Sequence, residues 1–122
     1  MAKRYAALPG EAYPATLSGP GRVRGERIAL HWRASEAPRL GLVISRKLAG
    51  SAVRRNLVKR QSRGLFVQEA CAAGRAPMDL VVRATASLAN LDRRTLFGQL
   101  RAAFERLPGS VMAATQQGQA RR

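Results

Sequence analysis

The chain has 122 residues, of which 46% are apolar, and its 22 Lys and Arg outnumber its 7 Asp and Glu to give a formal net charge of +15. This length allows one domain with a single modest core, and the apolar fraction excludes a chain that must stay unfolded. So large a positive charge repels itself unless a polyanion neutralises it, so nucleic acid is the first candidate partner and an anionic membrane surface the second.

The first half of the chain predicts a short helix followed by two strands. Residues 11–18 suit a helix, provided that Pro14 lies in its first turn, where the missing N–H is tolerated. Residues 18–25 are rich in Gly and Pro and predict a turn-rich connector. Large apolar side chains alternate with smaller ones in residues 27–33, which is typical of a strand, and the more uniformly apolar residues 39–45 predict a central strand.

The second half predicts a helix, a strand and another helix. Residues 51–72 are the main helix candidate, residues 78–85 a third strand, and residues 92–107 a second helix with Asp92 as its N-cap. This order predicts an α+β sandwich of two layers, in which one small sheet carries the helices. We expect the domain to span residues 1–108, and the polar residues 109–122 to form a mobile tail.

The first part of the main helix candidate, residues 51–66, is strongly basic. No acidic residue occurs between Glu36 and Glu69, so the positive charge is concentrated here rather than spread over the chain. On a helical wheel Val53, Leu57 and Val58 share one side, on which the helix can pack. The opposite side carries Arg55, Asn56, Lys59, Arg60 and Arg63.

This basic side lacks the acidic residues that a solvated helix normally places among its cations. Like charges four residues apart destabilise a helix by roughly a few tenths of a kcal/mol per pair, and a bound polyanion reverses that effect. Asn56 adds a neutral donor and acceptor that can bond a phosphate, a ribose hydroxyl or a base edge. The pattern therefore favours nucleic-acid binding over an ordinary solvated face, which is the alternative interpretation.

Residues 39–66 resemble the protein subunit of bacterial ribonuclease P. The segment has a strand ending in a Ser-Arg-Lys step, a connector containing Gly, and then Arg-Asn followed by Lys-Arg. It departs from the family pattern at Leu57, where a second Arg is expected, and at Gly64, where a Glu is expected. The matching residues are Leu40, Gly41, Ser45, Lys47, Ala52, Val53, Arg55, Asn56, Lys59, Arg60, Arg63 and Phe66.

The resemblance implies an α+β fold with a mixed sheet, in which the basic helix lies in a left-handed βαβ-type crossover, as in domain 2 of ribosomal protein S5. It also implies a non-catalytic subunit. In this family a catalytic RNA removes the 5′ leader of precursor tRNA with Mg²⁺ bound through the RNA, and one protein is expected per RNA. The implied RNA-binding residues are Arg46, Lys47, Arg54, Arg55, Asn56, Lys59, Arg60 and Arg63.

A second binding region follows from the same resemblance. The family contacts the precursor-tRNA leader through a cleft between the first helix and the sheet, with aromatic residues near two of the positions concerned. In this chain the candidates for that cleft are Tyr13, His31 and Arg83. An aromatic side chain can stack on a single-stranded base, but Tyr13 can equally pack the first helix on the sheet.

Other residues favour a protein without catalytic groups or metal ligands. His31 is the only histidine and Cys71 the only cysteine, which excludes an intrachain disulfide and a cysteine-based zinc site. The acidic residues are scattered singly, without paired carboxylates to hold two metals. No apolar run is long enough to cross a bilayer and no signal-peptide pattern occurs, so we expect no membrane partner and a cytoplasmic location.

Three other classes of protein are alternatives. A ribosomal or other structural RNA-binding protein with the same sandwich fold would explain the basic helix equally well. A helix-turn-helix DNA regulator is disfavoured by the three predicted strands. A helix on a membrane surface would need Trp or Phe opposite its basic side, and residues 51–63 contain neither.

Overall fold

The computed structural model describes residues 5–71 and 75–108. The predicted tail, residues 109–122, lies outside the described residues. The strands are β1 (Ala6–Ala7), β2 (Gly21–Arg24), β3 (Ile28–Ala34), β4 (Arg39–Val43) and β5 (Met78–Ala84). The helices are α1 (Tyr13–Ser18), α2 (Arg46–Ala49), α3 (Ala52–Leu65) and α4 (Arg93–Glu105). A 3₁₀ turn at Gly10–Ala12 leads into α1, and a π-helical segment at Phe66–Ala70 continues α3.

The five strands form one mixed sheet in the order β1-β4-β5-β3-β2. Strand β4 pairs in parallel with β1 and β5, whereas β3 pairs antiparallel with β5 and β2. Helices α2 and α3 carry the chain from β4 to its parallel neighbour β5. The predicted α+β fold, with the basic helix in a crossover between parallel strands, is confirmed.

The two faces of the sheet pack against different helices. On β5, Leu80 and Val82 belong to the main core with Phe104 of α4, whereas Val81 packs on the opposite face with Leu8 and Ala12 beside α1. Alternate residues of a strand point to opposite faces, so β5 is covered on both sides. The predicted layers of sheet and helices are present, and α1 adds a partial third layer on the other face.

The predicted connector at residues 18–25 is wrong for Gly21–Arg24, which forms the edge strand β2. Its Gly21 and Val23 are buried while Arg22 and Arg24 are exposed, as expected of a half-buried strand. Gly21 lies so close to Trp32 that a Cβ there would be 2.3 Å from the Trp32 carbonyl oxygen. The glycine that signalled a turn is needed instead for close packing against β3.

Helix α3 packs on the core through a face that excludes Val53. Val58, Ser62 and Leu65 are buried and Leu57 packs on the core as predicted, but the Val53 side chain is 78% exposed. Val53 lies about 140° from Val58 around the helix axis and in the first turn, so it projects past the edge of the contact. Its assignment to the packing side was therefore wrong.

Side-chain hydrogen bonds cap the first turns of α3 and α4. The Ser51 hydroxyl accepts from the Arg54 N–H at the start of α3, and the Asp92 carboxylate accepts from the Thr95 N–H at 2.7 Å, which confirms the predicted cap of α4. Between α2 and α3 the chain reverses at Gly50, whose φ is 100°. Only glycine adopts this left-handed conformation without strain.

Replacing Gly98 by alanine is expected to stabilise the protein. Gly98 is exposed in the middle of α4, and a Cβ there would meet no atom within 4 Å. Alanine removes the extra backbone entropy of glycine in a helix, worth about 1 kcal/mol, so Tm should rise by roughly 4–8 °C. Gly21→Ala is the matched control, because its Cβ would collide with Trp32 and should lower Tm. A fall in Tm for Gly98→Ala would contradict the packing described for α4.

Candidate nucleic-acid interface

The outward side of α3 carries the basic residues that the sequence predicted there. We call Arg55, Asn56, Lys59, Arg60 and Arg63 the basic face. Asn56, Arg60 and Arg63 are exposed, and Lys59 and Arg55 are half-buried at its border. Among the described residues the ion pairs involve Arg33, Arg39, Arg75 and Arg101, none of them on α3. The charge of this face is therefore not neutralised by a carboxylate in the described part of the chain.

Arg55 also joins α3 to the sheet. Its Nε donates to the carbonyl oxygen of Ile44, directly after β4, at 2.7 Å. The bond occupies Nε, so the Nη groups are the part of this guanidinium that suits a phosphate. Arg55 thus fixes the position of the basic face relative to β4 and still offers charge to a ligand.

Arg54, predicted as an RNA contact, makes structural hydrogen bonds. Its Nη2 donates to the carbonyl oxygens of Leu88, at 2.9 Å, and of Leu91, and its side chain is half-buried. These bonds attach the segment between β5 and α4 to the first turn of α3. The wheel alone could not identify this role, because Leu88 is 34 residues away in the sequence.

We expect Arg54→Met to lower the free energy of unfolding by about 1–2 kcal/mol, because two carbonyl oxygens lose their donor. The same change should leave the salt dependence of RNA binding unchanged. Arg60→Met is the matched control, because it removes the same group from an exposed position on α3. It should leave the free energy of unfolding nearly unchanged and reduce the salt dependence of RNA binding. Urea titration and RNA binding at several salt concentrations measure both effects. A reduced salt slope for Arg54→Met would instead make Arg54 a phosphate contact.

Helix α2 extends the positive surface beyond the first turn of α3. Arg46 and Lys47 are exposed on this single turn. Ser45 caps the turn by accepting from the Leu48 N–H at 3.0 Å. The predicted contacts Arg46 and Lys47 therefore belong to a short, capped element adjoining the basic face.

Tyr13 of α1 lies across the edge of the sheet. Its hydroxyl accepts a hydrogen bond from the Leu42 N–H at 3.2 Å, where β1 has already ended and β4 has no strand partner on that side among the described residues. Its ring covers Gly41, and a Cβ on Gly41 would lie 2.6 Å from the Tyr13 hydroxyl oxygen. The packing role considered for Tyr13 is therefore present, and it holds the ring in a fixed place.

A cleft of about 230 Å³ joins Tyr13 to the basic face. Lys59 and Arg63 line one part of it, and Tyr5 and Tyr13 line another. Tyrosine rings beside cations suit a nucleotide, since a ring stacks on a base while the cations hold its phosphate. The full lining is Tyr5, Ala7, Tyr13, Leu40, Leu42, Lys59 and Arg63. The sequence did not predict Tyr5, which β1 carries to this edge by pairing with β4.

His31 and Arg83 lie on the same sheet face as Tyr13, but Arg83 lines a different cleft from Tyr13. Arg83 Nε donates to His31 Nε2 at 3.2 Å. The His31 side chain is only 2% exposed, so its ring is not open for stacking on a base. Burial, followed by the charges of Arg83 and Arg22, lowers the pKa of His31 below its usual value and favours the neutral ring that accepts this hydrogen bond.

The described residues show no site for a metal ion and no membrane span. Within residues 5–71 and 75–108, no three His, Cys, Asp or Glu side chains lie close enough together to hold a metal. The same part of the chain has no helix long and apolar enough to cross a membrane.

The family model described as ribonuclease P matches residues 1–108. The chain belongs to the ribonuclease P protein family. The ribonuclease P protein component of Azoarcus sp. (strain BH72) is 39% identical over 88 residues, covering 70% of this chain and 72% of that protein. The corresponding protein of Stutzerimonas stutzeri (strain A1501) is 36% identical over 103 residues, covering 82% and 77%.

Solved structures agree on the fold of this family. The ribonuclease P protein of Staphylococcus aureus superposes with a TM-score of 0.69 at 21% identity, covering 84% of this chain and 94% of that one. The protein of Thermotoga maritima gives a TM-score of 0.63 at 24% identity, covering 84% and 97%. The family model and the two bacterial relatives, rather than these structures, show the role of this chain: it is the RNA-binding subunit of the endoribonuclease that matures tRNA, and a ribosomal role is not favoured. Its partners are the ribonuclease P RNA and the tRNA substrate.

Proposed function

We propose that the basic face of α3 binds the catalytic RNA of ribonuclease P and that the adjoining cleft receives the 5′ leader of precursor tRNA. One observation carries this proposal: Lys59 and Arg63 belong both to the basic face and to the cleft that Tyr13 lines. A bound RNA on the outer surface of α3 would therefore lie beside the substrate's single-stranded leader.

The electrostatics of α3 support this assignment. Arg55, Lys59 and Arg63 follow one another at intervals of four residues, a spacing at which like charges repel. No described carboxylate pairs with them. RNA phosphates relieve this repulsion and release counterions on binding, so the affinity should fall steeply with salt. Arg46 and Lys47 on α2 extend the same surface.

We propose that the protein contributes charge and position rather than reactive groups. Phosphodiester hydrolysis in this enzyme uses Mg²⁺, and the described residues do not fit a metal site because their carboxylates are scattered. The ion is accordingly assigned to the RNA. Cations on α3 would reduce repulsion between the catalytic RNA and the precursor, and so lower the Mg²⁺ concentration needed for assembly. We further propose one protein per catalytic RNA and action in the cytoplasm, where bacterial precursor tRNA is made.

Site-directed photo-crosslinking tests the placement of both partners. A photoreactive residue at Asn56, exposed on α3, should crosslink to the catalytic RNA, and one at Ala7, in the cleft, to the precursor's leader. The control is Arg94, exposed on α4. Equal crosslinking from Asn56 and Arg94 would contradict the proposal for the basic face. Crosslinks from Ala7 to mature tRNA alone would contradict the proposal for the cleft.

A further inference from the structure

Part of the sheet face beside α1 is open and carries two arginines. Arg24 of β2 and Arg83 of β5 both lie opposite Ala29 of β3, one on each side of it. Directly paired residues point to the same face, so the small Ala29 side chain forms a floor between two guanidinium groups. A cleft of about 340 Å³ opens here, lined by Arg24, Gly25, Glu26, Ile28, Ala29, Arg83 and Thr85.

This cleft suits the backbone of a single RNA strand. Guanidinium groups hold phosphates through two donors at once, and the apolar floor accepts a ribose or a base. The carboxylate at the rim, Glu26, is engaged by Gln99 of α4, whose Nε2 lies 3.4 Å from a Glu26 oxygen. The two arginines therefore outnumber the one acid in the cleft.

The Arg83 side chain is hydrogen-bonded to His31. Arg83 Nε donates to His31 Nε2, which leaves the Nη groups of Arg83 as its donors for a phosphate. His31 itself is buried in the sheet face beside α1 and cannot reach a ligand in the open cleft. We propose that His31 is a positioning residue that orients Arg83 toward a leader phosphate in this cleft, an inference that rests on the proposed function.

The burial of His31 and the charges around it favour its neutral form. Arg83 faces it from β5 and Arg22 from β2, whereas α1 contributes no charged side chain. The carbonyl of Leu17 in α1 favours the protonated ring, but Nδ1 makes no well-formed hydrogen bond. Protonation would remove the acceptor on Nε2 and place a positive charge between two others. The orientation of Arg83 should consequently be kept at neutral pH and lost in acid.

Affinity measurements on the reconstituted holoenzyme test this role, with a leader-bearing precursor compared against mature tRNA. We expect His31→Leu, which removes the acceptor, to weaken precursor binding by about three- to tenfold and to leave mature tRNA binding unchanged. His31→Gln keeps an acceptor and should retain most of the affinity. Arg83→Gln should show the same loss as His31→Leu, and the double variant no further loss, because both changes remove one contact.

The pH profile separates positioning from a merely structural role. The leader-dependent gain in affinity should fall on acidification in the wild type and be insensitive to pH in Arg83→Gln. An unchanged leader-dependent affinity in His31→Leu, or additive losses in the double variant, would overturn the inference alone. If His31→Leu does not fold, a normal leader-dependent affinity in Arg83→Gln would likewise overturn the inference. A wild-type holoenzyme that binds precursor and mature tRNA equally would instead contradict the proposed function as well.

Discussion

Replacing Lys59 and Arg63 together by glutamine is expected to weaken binding of the catalytic RNA by roughly 10–100-fold at physiological salt. Both side chains belong to the basic face of α3 and neither has a carboxylate partner among the described ion pairs. An RNA phosphate that loses its contact with the protein keeps its counterions on binding. The slope of log K against log salt should therefore fall in magnitude by about one to two units. Filter binding or fluorescence anisotropy over a range of salt concentrations measures both quantities.

The matched control is the double variant Arg94→Gln/Arg101→Gln. It removes the same charge from exposed positions on α4, whose buried side faces the core with Leu96 and Leu100. Arg101 is also partly neutralised by Glu105 at 3.1 Å. We expect the salt slope of RNA binding by the Arg94→Gln/Arg101→Gln variant to stay near that of the wild type. Equal losses in the two double variants would show that net charge, rather than the basic face, determines RNA binding.

Replacing Asp79 by asparagine is expected to lower the free energy of unfolding by about 2–3 kcal/mol at neutral pH. Asp79 is fully buried at the start of β5 and accepts hydrogen bonds from two arginines. Arg39 donates through Nε at 2.7 Å and Nη2 at 2.8 Å, and Arg33 donates through Nε at 3.2 Å. Asparagine has no charge to offset these cations and presents an NH₂ group where they need an acceptor.

The pH dependence of this effect follows from the pKa of Asp79. Burial alone would raise this pKa, but the hydrogen bonds from Arg39 and Arg33 outweigh burial and hold it below its usual value. The stabilisation is therefore fully present above the unfolded pKa of about 4 and is lost as pH falls through the lower folded value. Wild type and Asp79→Asn should converge in stability in acid.

Asp92→Asn is the control for the Asp79 experiment. Asp92 also has a lowered pKa, through the hydrogen bond from the Thr95 N–H, but it caps α4 in an exposed position. Asparagine caps a helix about as well as aspartate, so urea titrations should show little change. A small change in the free energy of unfolding for Asp79→Asn at neutral pH would contradict this account. It would mean that water solvates Arg33 and Arg39 as favourably as Asp79 does.

The elements of this fold that could be predicted from the sequence are those with a clear local period. Residues 27–33, 39–45 and 78–85 alternate or run apolar, and each corresponds to a strand of the sheet. The strand β2 could not be identified in this way, because its Gly21 is explained only by Trp32 on the neighbouring strand. The hydrogen bond from Arg54 to Leu88 likewise joins residues distant in sequence.

In the candidate site, too, local features could be predicted from the sequence and contacts between distant residues could not. The acid-free run around Asn56 is a local feature, so the sequence located the basic face. Helical spacing cannot tell which arginine of such a run is held by the protein itself, and it was the resemblance to the family that placed Arg54 with Arg60 among the RNA-binding residues. The resemblance to the family placed Tyr13 and His31 near one cleft, but only tertiary packing shows that the His31 ring is buried and contacts Arg83.

Reconstitution with a bacterial ribonuclease P RNA at low Mg²⁺ tests the central claim most directly. The rate of 5′-leader removal from precursor tRNA is measured with and without the protein. We predict that the wild-type protein increases cleavage at the mature 5′ end, and that the Lys59→Gln/Arg63→Gln variant does so only at higher protein concentration. Cleavage at the same rate with and without the wild-type protein would contradict this account.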